Sequence, residues 1–243
     1  MGALLAEWTV STFVSNGFTY PTYRRGHGPG VIVMHEMPGL TPAVIGFGEK
    51  VVAAGFTVVM PLLFGEAERP VSSKYVGSSV AKGCIAKEFT ALVAGRTPPI
   101  AAWLRALART LHEELGGPGV GAIGMCWTGG FALAMMVDAH TVAPVISQPS
   151  LPILPTRRQR ADLNLSPADL AAVKSRDCDV MGLRFTGDKL VGDRFATLRA
   201  ELGDRFIAVE FPSSKPTDHS VLTEQVQDVG VARVLEFLHQ RLD

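Results

Sequence analysis

The sequence predicts an α/β protein whose central sheet is mostly parallel, with helices on both faces and a β-hairpin at one edge. From residue 30 to the end, short apolar runs of strand length alternate with helical patterns, which is typical of right-handed βαβ units. At the N-terminus, two partly alternating segments (7–15 and 18–24) flank Asn16-Gly17, a strong hairpin signal. The length and the lack of a linker or repeat favour a single domain over residues 1–243.

The apolar runs assign the remaining elements. Continuous apolar runs are typical of parallel strands buried on both faces, and amphipathic stretches bounded by capping residues predict helices. Strands are expected at 30–34, 57–60, 120–123, 141–147, 181–185 and 206–211, and helices at 42–54, 100–115, 131–137, 167–176, 193–202 and 224–240.

Regular alternation lapses between Pro61 and Pro99. Glycines, prolines and paired serines interrupt every candidate element there. A connection of this length in a compact domain is usually functional. We therefore expect the 61–99 segment to be a lid or binding loop, with an irregular surface excursion as an equally weighted alternative.

Composition excludes several classes of partner. Lys plus Arg and Asp plus Glu number 23 each, without a basic stripe, so neither nucleic acid nor anionic membrane is expected. No apolar run approaches the roughly 18 residues of a spanning helix, and no signal peptide is visible. The widely spaced Cys84, Cys126 and Cys178 suit a reducing environment rather than a disulfide framework. We expect a cytoplasmic monomer or homodimer.

The stretch from Val120 to Phe131 carries a candidate nucleophile. Its apolar run leads into Gly124-x-Cys126-x-Thr128-Gly129 and then a helical pattern, which is a nucleophile elbow with Cys in place of Ser. A thiol at the start of a helix is favoured as the reactive thiolate. The alternative is a buried structural cysteine. The overlapping Gly119-x-Gly121-x-x-Gly124 matches a dinucleotide fingerprint, but two of its glycines precede or begin the apolar run rather than follow it.

Four candidate side chains follow predicted strands, at the sheet edge where functional groups of such folds gather. They are Glu36, Cys126, Asp188 and His219. Nucleophile, then acid, then histidine is the chain order of α/β-hydrolases. In that arrangement Cys126 attacks a carbonyl carbon, His219 accepts its proton, and Asp188 orients the imidazole. Backbone N–H groups of Trp127 and Met37 are expected to form the oxyanion hole.

Three alternatives stay open from the residues alone. Asp193 lies near enough to compete with Asp188, although Asp188 falls directly at the strand end. His219 could be a solvated loop histidine. His35 also follows a productive strand and adjoins Glu36, so only side-chain direction separates the two.

With these residues identified, the chain resembles the dienelactone hydrolase family of cysteine-dependent α/β-hydrolases over nearly its whole length. The similarity rests on His35-Glu36-x-Pro38-Gly39-Leu40, Gly124-Met-Cys126-Trp-Thr-Gly129-Gly130, Gly187-Asp188-x-x-Val191 and Asp218-His219-Ser220. The resemblance implies an α/β-hydrolase fold and a triad of Cys126, Asp188 and His219. It also implies that Glu36 interacts with the thiol and helps to release it as thiolate when substrate arrives.

The family's substrate-binding residues match this sequence less well than its catalytic residues do. Family members that act on dienelactone hold its carboxylate with arginines, one of them four residues after the catalytic histidine, and that position here is Thr223. Arg69 and Arg96 are further candidate substrate contacts in the 61–99 segment, while Leu40 and Phe64 would supply an apolar wall. We therefore expect hydrolysis of an uncharged lactone or small ester through a thioacyl-enzyme, with no cofactor.

A protein of another class is the runner-up. A non-catalytic α/β-hydrolase-fold protein could bind a small ligand, or could sense oxidation through Cys126. Such a sensor needs no Asp–His pair, so the triad order favours the enzyme. A metallohydrolase is not expected, because the sequence lacks clustered metal-ligand spacing.

Overall fold

The computed structural model describes residues 2–89, 94–151, 156 and 159–243. The strands are β1 (Thr9–Ser15), β2 (Phe18–Arg25), β3 (Gly30–Met34), β4 (Thr57–Pro61), β5 (Val120–Met125), β6 (Thr141–Ser147), β7 (Val180–Phe185) and β8 (Phe206–Phe211). The helices are α1 (Pro42–Ala53), α2 (Ser73–Ile85), α3 (Ile100–Leu115), α4 (Gly129–Met135), α5 (Pro167–Ser175), α6 (Arg194–Leu202) and α7 (Asp228–Leu242).

The eight strands form one sheet in the order β1-β2-β4-β3-β5-β6-β7-β8. The β1–β2 and β2–β4 pairs are antiparallel, and every pair from β4 to β8 is parallel. Asn16 and Gly17 connect β1 to β2 with φ angles of 51° and 79°, as a tight hairpin turn requires. This architecture confirms the predicted mostly parallel sheet with a hairpin at its edge.

Helices cover both faces of the sheet, and the alternation of β3 shows why its apolar run is continuous. Ile32 and Met34 pack in a core with residues of α3 and α4, while Val31 and Val33 pack on the opposite face with residues of α1 and α7. A strand buried on both faces needs apolar side chains at every position. The sheet thereby fixes where each strand ends, and so where the candidate site residues lie.

The 61–99 segment contains a helix that its sequence does not signal. Helix α2 begins after Ser72, whose Oγ accepts a hydrogen bond from the Tyr75 N–H at 3.3 Å. Serines and glycines lower its intrinsic helix propensity, so tertiary packing must stabilise it. Gly83 supplies that packing, because a Cβ there would lie 2.7 Å from Cζ3 of Trp127. The part of the segment from 90 to 93 lies outside the described residues.

The last helix begins at Asp228, four residues later than the predicted start at 224. Val226 and Val229, which the predicted apolar stripe includes, are 40% and 67% exposed. The reason is that the chain before the helix bonds back to the preceding loop. The N–H of Gln227 donates to the carbonyl of Val221 at 2.8 Å, and the N–H of Gln225 donates to that of Ser220 at 3.0 Å.

Candidate active site

Cys126 lies at a sharp turn between β5 and α4. Its φ is 56°, in the left-handed region that residues other than glycine rarely adopt. Gly124 permits the turn, because a Cβ at that position would lie 2.1 Å from the backbone oxygen of Thr128. The strained turn from strand to helix is the geometry of a nucleophile elbow.

Thr128 ties this turn to the neighbouring strand β3. Its Oγ1 accepts a hydrogen bond from the Met125 N–H at 2.8 Å. Its hydroxyl hydrogen is shared between the carbonyls of Met34, at 3.1 Å, and Met125, at 2.9 Å. Met34 is the last residue of β3 and pairs with Gly124. Thr128 therefore joins the end of β3, which leads to Met37, to the turn that contains Trp127 just before α4.

His219 is paired with Asp188. Its Nδ1–H donates to Oδ2 of Asp188 at 2.6 Å, and Oδ1 of the same carboxylate accepts from the Leu190 N–H at 2.9 Å. Asp193 lies elsewhere: its side chain is 61% exposed and forms an ion pair with Arg160 at 3.5 Å. Of the two candidate acids, the fold thus brings Asp188 to the histidine.

The other ring nitrogen of His219 is directed to the thiol region. Within the part of the chain that the structure describes, Nε2 is buried without a well-aligned hydrogen-bond partner, and Cys126 is close enough to interact with the ring. Burial alone lowers the pKa of His219, but the negative charge of a Cys126 thiolate and the hydrogen bond to Asp188 outweigh it. The pKa of His219 therefore lies well above 6.5. Negative charge at Cys126 and at Asp188 thus favours the imidazolium form of His219.

Ser150 is a neighbour of the thiol that sequence reasoning missed. Its Oγ lies 3.1 Å from Sγ of Cys126, and its N–H donates to the Cys126 carbonyl at 3.1 Å. Ser150 is buried in the loop after β6, and β6 is the strand next to β5. The signal available in the sequence was a polar residue just after β6, the strand next to the one that ends at Cys126. The neighbouring prolines obscured this signal.

Glu36 is buried at the base of the same region. Its Oε2 accepts hydrogen bonds from Ser220 Oγ at 2.7 Å and from Gln148 Nε2 at 3.1 Å, and its Oε1 accepts from the Thr223 hydroxyl. These three partners hold the carboxylate beside the His219 loop. The expected interaction of Glu36 with the thiol is not among these contacts and stays a prediction.

His35 serves the structure rather than the site. Its Nδ1–H donates to the Glu36 carbonyl at 3.1 Å, and its Nε2 accepts from the Leu63 N–H at 3.0 Å. Complete burial lowers the pKa of His35 to about 4, so the ring is neutral at physiological pH. Side-chain direction thus separates the neighbours: His35 anchors the segment after β4, and Glu36 enters the site.

The predicted substrate contacts have diverse environments. Leu40 is fully buried in the core on the α1 side, whereas Cys126 belongs to the core on the other face of the sheet. Arg69 pairs with Glu66 at the surface and lies 4.3 Å above the ring of Tyr75, and Arg96 is exposed. None of these contacts joins Leu40, Arg69 or Arg96 to Cys126, and their role in substrate binding stays a prediction. The hydroxyl of Thr223 donates its hydrogen bond to Glu36, as described above.

Phe64 is the predicted contact that does lie beside the elbow. Its ring centroid is 5.6 Å from that of Trp127, within an aromatic group completed by Phe89 and Phe131. Helix α2 covers this group through Gly83, which also approaches the Met37 side chain. The two predicted oxyanion-hole residues therefore lie under one helix of the 61–99 segment.

Arg194 places a buried positive charge near the thiol. It lines a narrow crevice that Ser150 also lines. Its Nη1 donates to the Val191 carbonyl at 3.0 Å and its Nη2 to the Gln159 carbonyl at 2.8 Å, while Nε has no partner among the described residues. Burial lowers the pKa of Arg194, and negative charge at Asp162 and Cys126 opposes this. Sequence reasoning missed Arg194, because an arginine at the start of an amphipathic helix is ordinarily solvated.

Across the described part of the chain, no three His, Cys, Asp or Glu side chains are grouped as metal ligands. Within the same residues, no helix has the length and apolar character needed to cross a bilayer.

Comparison with known proteins gives a family match. The sequence model of the dienelactone hydrolase family matches residues 18–229. This range includes every candidate of the predicted triad, together with Glu36, Met37 and Trp127. No curated protein matches the chain by sequence.

Solved structures share the fold. A putative dienelactone hydrolase from Klebsiella pneumoniae is 17% identical, with a TM-score of 0.67 over 96% of this chain and 98% of its own. Dienelactone hydrolase from Anabaena variabilis is 14% identical, with a TM-score of 0.67 over 97% and 98% of the two chains. A cold-adapted esterase from an Arctic intertidal metagenomic library is 18% identical, with a TM-score of 0.64 over 96% and 93%.

The pairing of His219 with Asp188 predicts unequal effects of two matched substitutions. Asp188→Asn should lower kcat about 10³- to 10⁴-fold, because the amide no longer favours the required imidazole tautomer. It should also lower the pKa of His219, because a carboxylate that raises this pKa is lost. Asp193→Asn, at the exposed Arg160 pair, should stay within about threefold of wild type.

Ester hydrolysis is measured for both variants from pH 5 to 10. A larger loss in Asp193→Asn than in Asp188→Asn would show that the geometric pairing is not the functional one.

Proposed function

We propose that this chain, which belongs to the dienelactone hydrolase family and is thus a carboxylic ester or lactone hydrolase, cleaves its substrate through a thioacyl-enzyme on Cys126. The observation that carries the proposal is the elbow itself. Cys126 has φ of 56°, and the nearby His219 is oriented by Asp188 at 2.6 Å. A nucleophile, a base and a group that orients the base are the parts that acyl transfer requires.

In the acylation step, the Cys126 thiolate attacks the carbonyl carbon and forms a C–S bond. The carbonyl π electrons move onto oxygen, and the backbone N–H groups of Trp127 and Met37 stabilise the resulting oxyanion. When the tetrahedral intermediate collapses, the C–O bond to the leaving group breaks. His219 as imidazolium donates its Nε2 proton to the departing alkoxide, and the thioacyl-enzyme remains.

In the deacylation step, a water molecule takes the position of the leaving alcohol. Neutral His219 accepts a proton from this water, and the hydroxide attacks the thioester carbonyl. The C–S bond then breaks, which releases the carboxylic acid and regenerates the Cys126 thiolate beside the imidazolium of His219. The acid loses its proton to solvent and leaves as the carboxylate. Asp188 holds the Nδ1–H of His219 in both steps, so that Nε2 is the nitrogen that accepts and donates the proton.

Two neighbours of the thiol support the charge separation. The Ser150 hydroxyl lies 3.1 Å from Sγ and can donate a hydrogen bond to a thiolate. Arg194 adds a buried positive charge in the crevice that Ser150 lines. Both groups interact more favourably with the thiolate than with the neutral thiol.

The proposal predicts that Cys126→Ala abolishes hydrolysis, with a loss of about 10⁴-fold or more in kcat. Cys178→Ala is the matched control and should retain activity, since Cys178 donates only to backbone carbonyls of Val142 and Asp179. Far-UV circular dichroism verifies the fold of both variants. Activity of Cys126→Ala within tenfold of wild type would rule out the thiol as nucleophile.

Alkylation of the wild-type enzyme provides an independent measure of the same thiol. Iodoacetamide should label Cys126 first, because burial raises the pKa of the Cys84 and Cys178 thiols and so suppresses their thiolates. Stoichiometric labelling of Cys126 without any turnover of activated esters would instead favour the runner-up, a ligand-binding or redox-sensing protein.

For Glu36, we propose that the carboxylate promotes ionisation of the thiol when substrate arrives. What supports this is its burial beside the His219 loop, where Ser220 holds one of its oxygens. Glu36→Gln should lower kcat/KM about 10²-fold, as loss of a general base does. It should also slow iodoacetamide labelling of Cys126 in the presence of a slow substrate analogue. Glu66→Gln, at an exposed carboxylate, is the control, and equal behaviour of the two variants would contradict the role.

We further propose that the acyl group is uncharged. The hydroxyl of Thr223 is bonded to Glu36, and Arg69 is paired with Glu66. A missing charge-assisted hydrogen bond weakens carboxylate binding by roughly 1.5–3 kcal/mol, or about ten- to a hundredfold. The aromatic rings of Phe64 and Trp127 instead suit an apolar acyl group.

A neutral short-chain ester should therefore have a kcat/KM at least about tenfold higher than its carboxylate-bearing analogue with the same leaving group. A preference of tenfold or more for the charged analogue would contradict this proposal. In that case Arg194, which lines the same crevice as Ser150, is the cation to test, by comparing both esters in Arg194→Met.

A further inference from the structure

The two edges of the sheet differ in how they are protected. Strand β8 forms one edge and carries Glu210, which is bound by Arg184 and Arg199. Strand β1 forms the other edge, and its seven residues (TVSTFVS) include no charge and no proline. Its pairing with β2 is unbroken from Thr9 to Ser15, so no bulge interrupts it. Uncharged, regular edge strands readily pair with another strand.

The hairpin turn defines which backbone groups of β1 face outward. In a two-residue hairpin the flanking residues, here Ser15 and Phe18, exchange both of their backbone hydrogen bonds. Hydrogen-bonded pairs then alternate along the ladder, so Phe13, Ser11 and Thr9 also bond to β2. The N–H and C=O groups of Val10, Thr12 and Val14 consequently point away from the sheet, where β1 has no neighbouring strand within the described residues.

The side chains of those three residues are exposed as well. Val10 and Val14 are 45% and 67% exposed, and they share one face of β1 because side chains alternate along a strand. Phe13 lies on the other face and packs against Trp103 at 5.3 Å. In the segment before β1, the N–H groups of Leu4 and Leu5 bond to Glu68, and Leu5 packs in the core on the α1 side of the sheet.

We propose that β1 is a dimer interface, at which two copies of this chain pair their β1 strands antiparallel about a two-fold axis at Thr12. In this register Val10 lies opposite Val14 of the second copy, Val14 lies opposite its Val10, and the two Thr12 residues face each other. All three outward-facing residues then form hydrogen-bonded pairs, with two backbone bonds for each pair. The dimer would contain one continuous sheet that runs through both copies.

A second copy fits this edge because the edge is complementary to itself. Valines at positions i and i+4 are related by the axis through the residue between them, so each apolar side chain meets an apolar partner. No like charges of β1 meet in this register, because the strand carries none. One strand edge buries less than the about 1,200 Å² of a stable interface, so the dimer should form reversibly at high protein concentration.

The interface is tested by introducing a charge at Thr12, through which the two-fold axis passes. Thr12→Lys and Thr12→Glu each place two like charges opposite one another and should be monomeric where wild type is dimeric. An equimolar mixture of the two variants should recover the dimer, because opposite charges then meet. Thr19→Lys, on the exposed part of β2, is the matched control and should dimerise as wild type does. Analytical ultracentrifugation over a hundredfold range of concentration measures all five samples: wild type, the two Thr12 variants, their mixture and Thr19→Lys.

Ester hydrolysis in each variant should equal that of wild type, because the hairpin lies at the sheet edge and the elbow lies near its centre. Retained activity shows that a monomeric variant is folded, and it keeps this inference separate from the catalytic proposal. A wild type that stays monomeric at the highest concentration would overturn the interface. Dimers that persist in Thr12→Lys, or a mixture that stays monomeric, would overturn the register about Thr12.

Discussion

The site depends on the close approach of two backbone segments at the elbow. A Cβ on Gly124 would collide with the carbonyl of Thr128, and Cys126 adopts its left-handed conformation between these two residues. The Thr128 hydroxyl then joins the turn to the end of β3 at Met34. Because the nucleophile strand and β3 are neighbours in the sheet, one steric constraint positions both the thiol and the segment that carries Glu36 and Met37.

Charge balance is the second requirement of this buried site. In the proposed mechanism, Asp188, Glu36 and the Cys126 thiolate carry negative charge, and His219 and Arg194 carry positive charge. Specific hydrogen bonds support three of these groups: Asp188 bonds to His219 and Leu190, Glu36 to three side chains, and Arg194 to backbone carbonyls. Buried charges persist only with such partners, so the neighbours of the proposed triad are as much a part of the proposed chemistry as the triad itself.

Local signals in the sequence predicted most of the fold and the strand ends that carry the site. The strands around Gly30–Met34 and Val120–Met125, the hairpin at Asn16-Gly17 and the elbow all rest on short-range patterns. Long-range contacts were beyond such patterns. Helix α2 depends on the fit of Gly83 to Trp127, and the contacts of Ser150 and Arg194 with the thiol region depend on segments that only the fold brings together. The predicted start of α7 at residue 224 was wrong, because the N–H groups of Gln225 and Gln227 bond back to the preceding loop.

The central claim is that the acyl group is carried by sulfur. The most direct measurement is acid quenching of the enzyme within milliseconds of mixing with an activated aryl ester, followed by peptide mass spectrometry. The account predicts one acyl group, on the peptide that contains Cys126, and its release by neutral hydroxylamine, as expected for a thioester. Acyl transfer to Ser150, whose Oγ is 3.1 Å from the same thiol, or turnover without any acylated peptide, would contradict it.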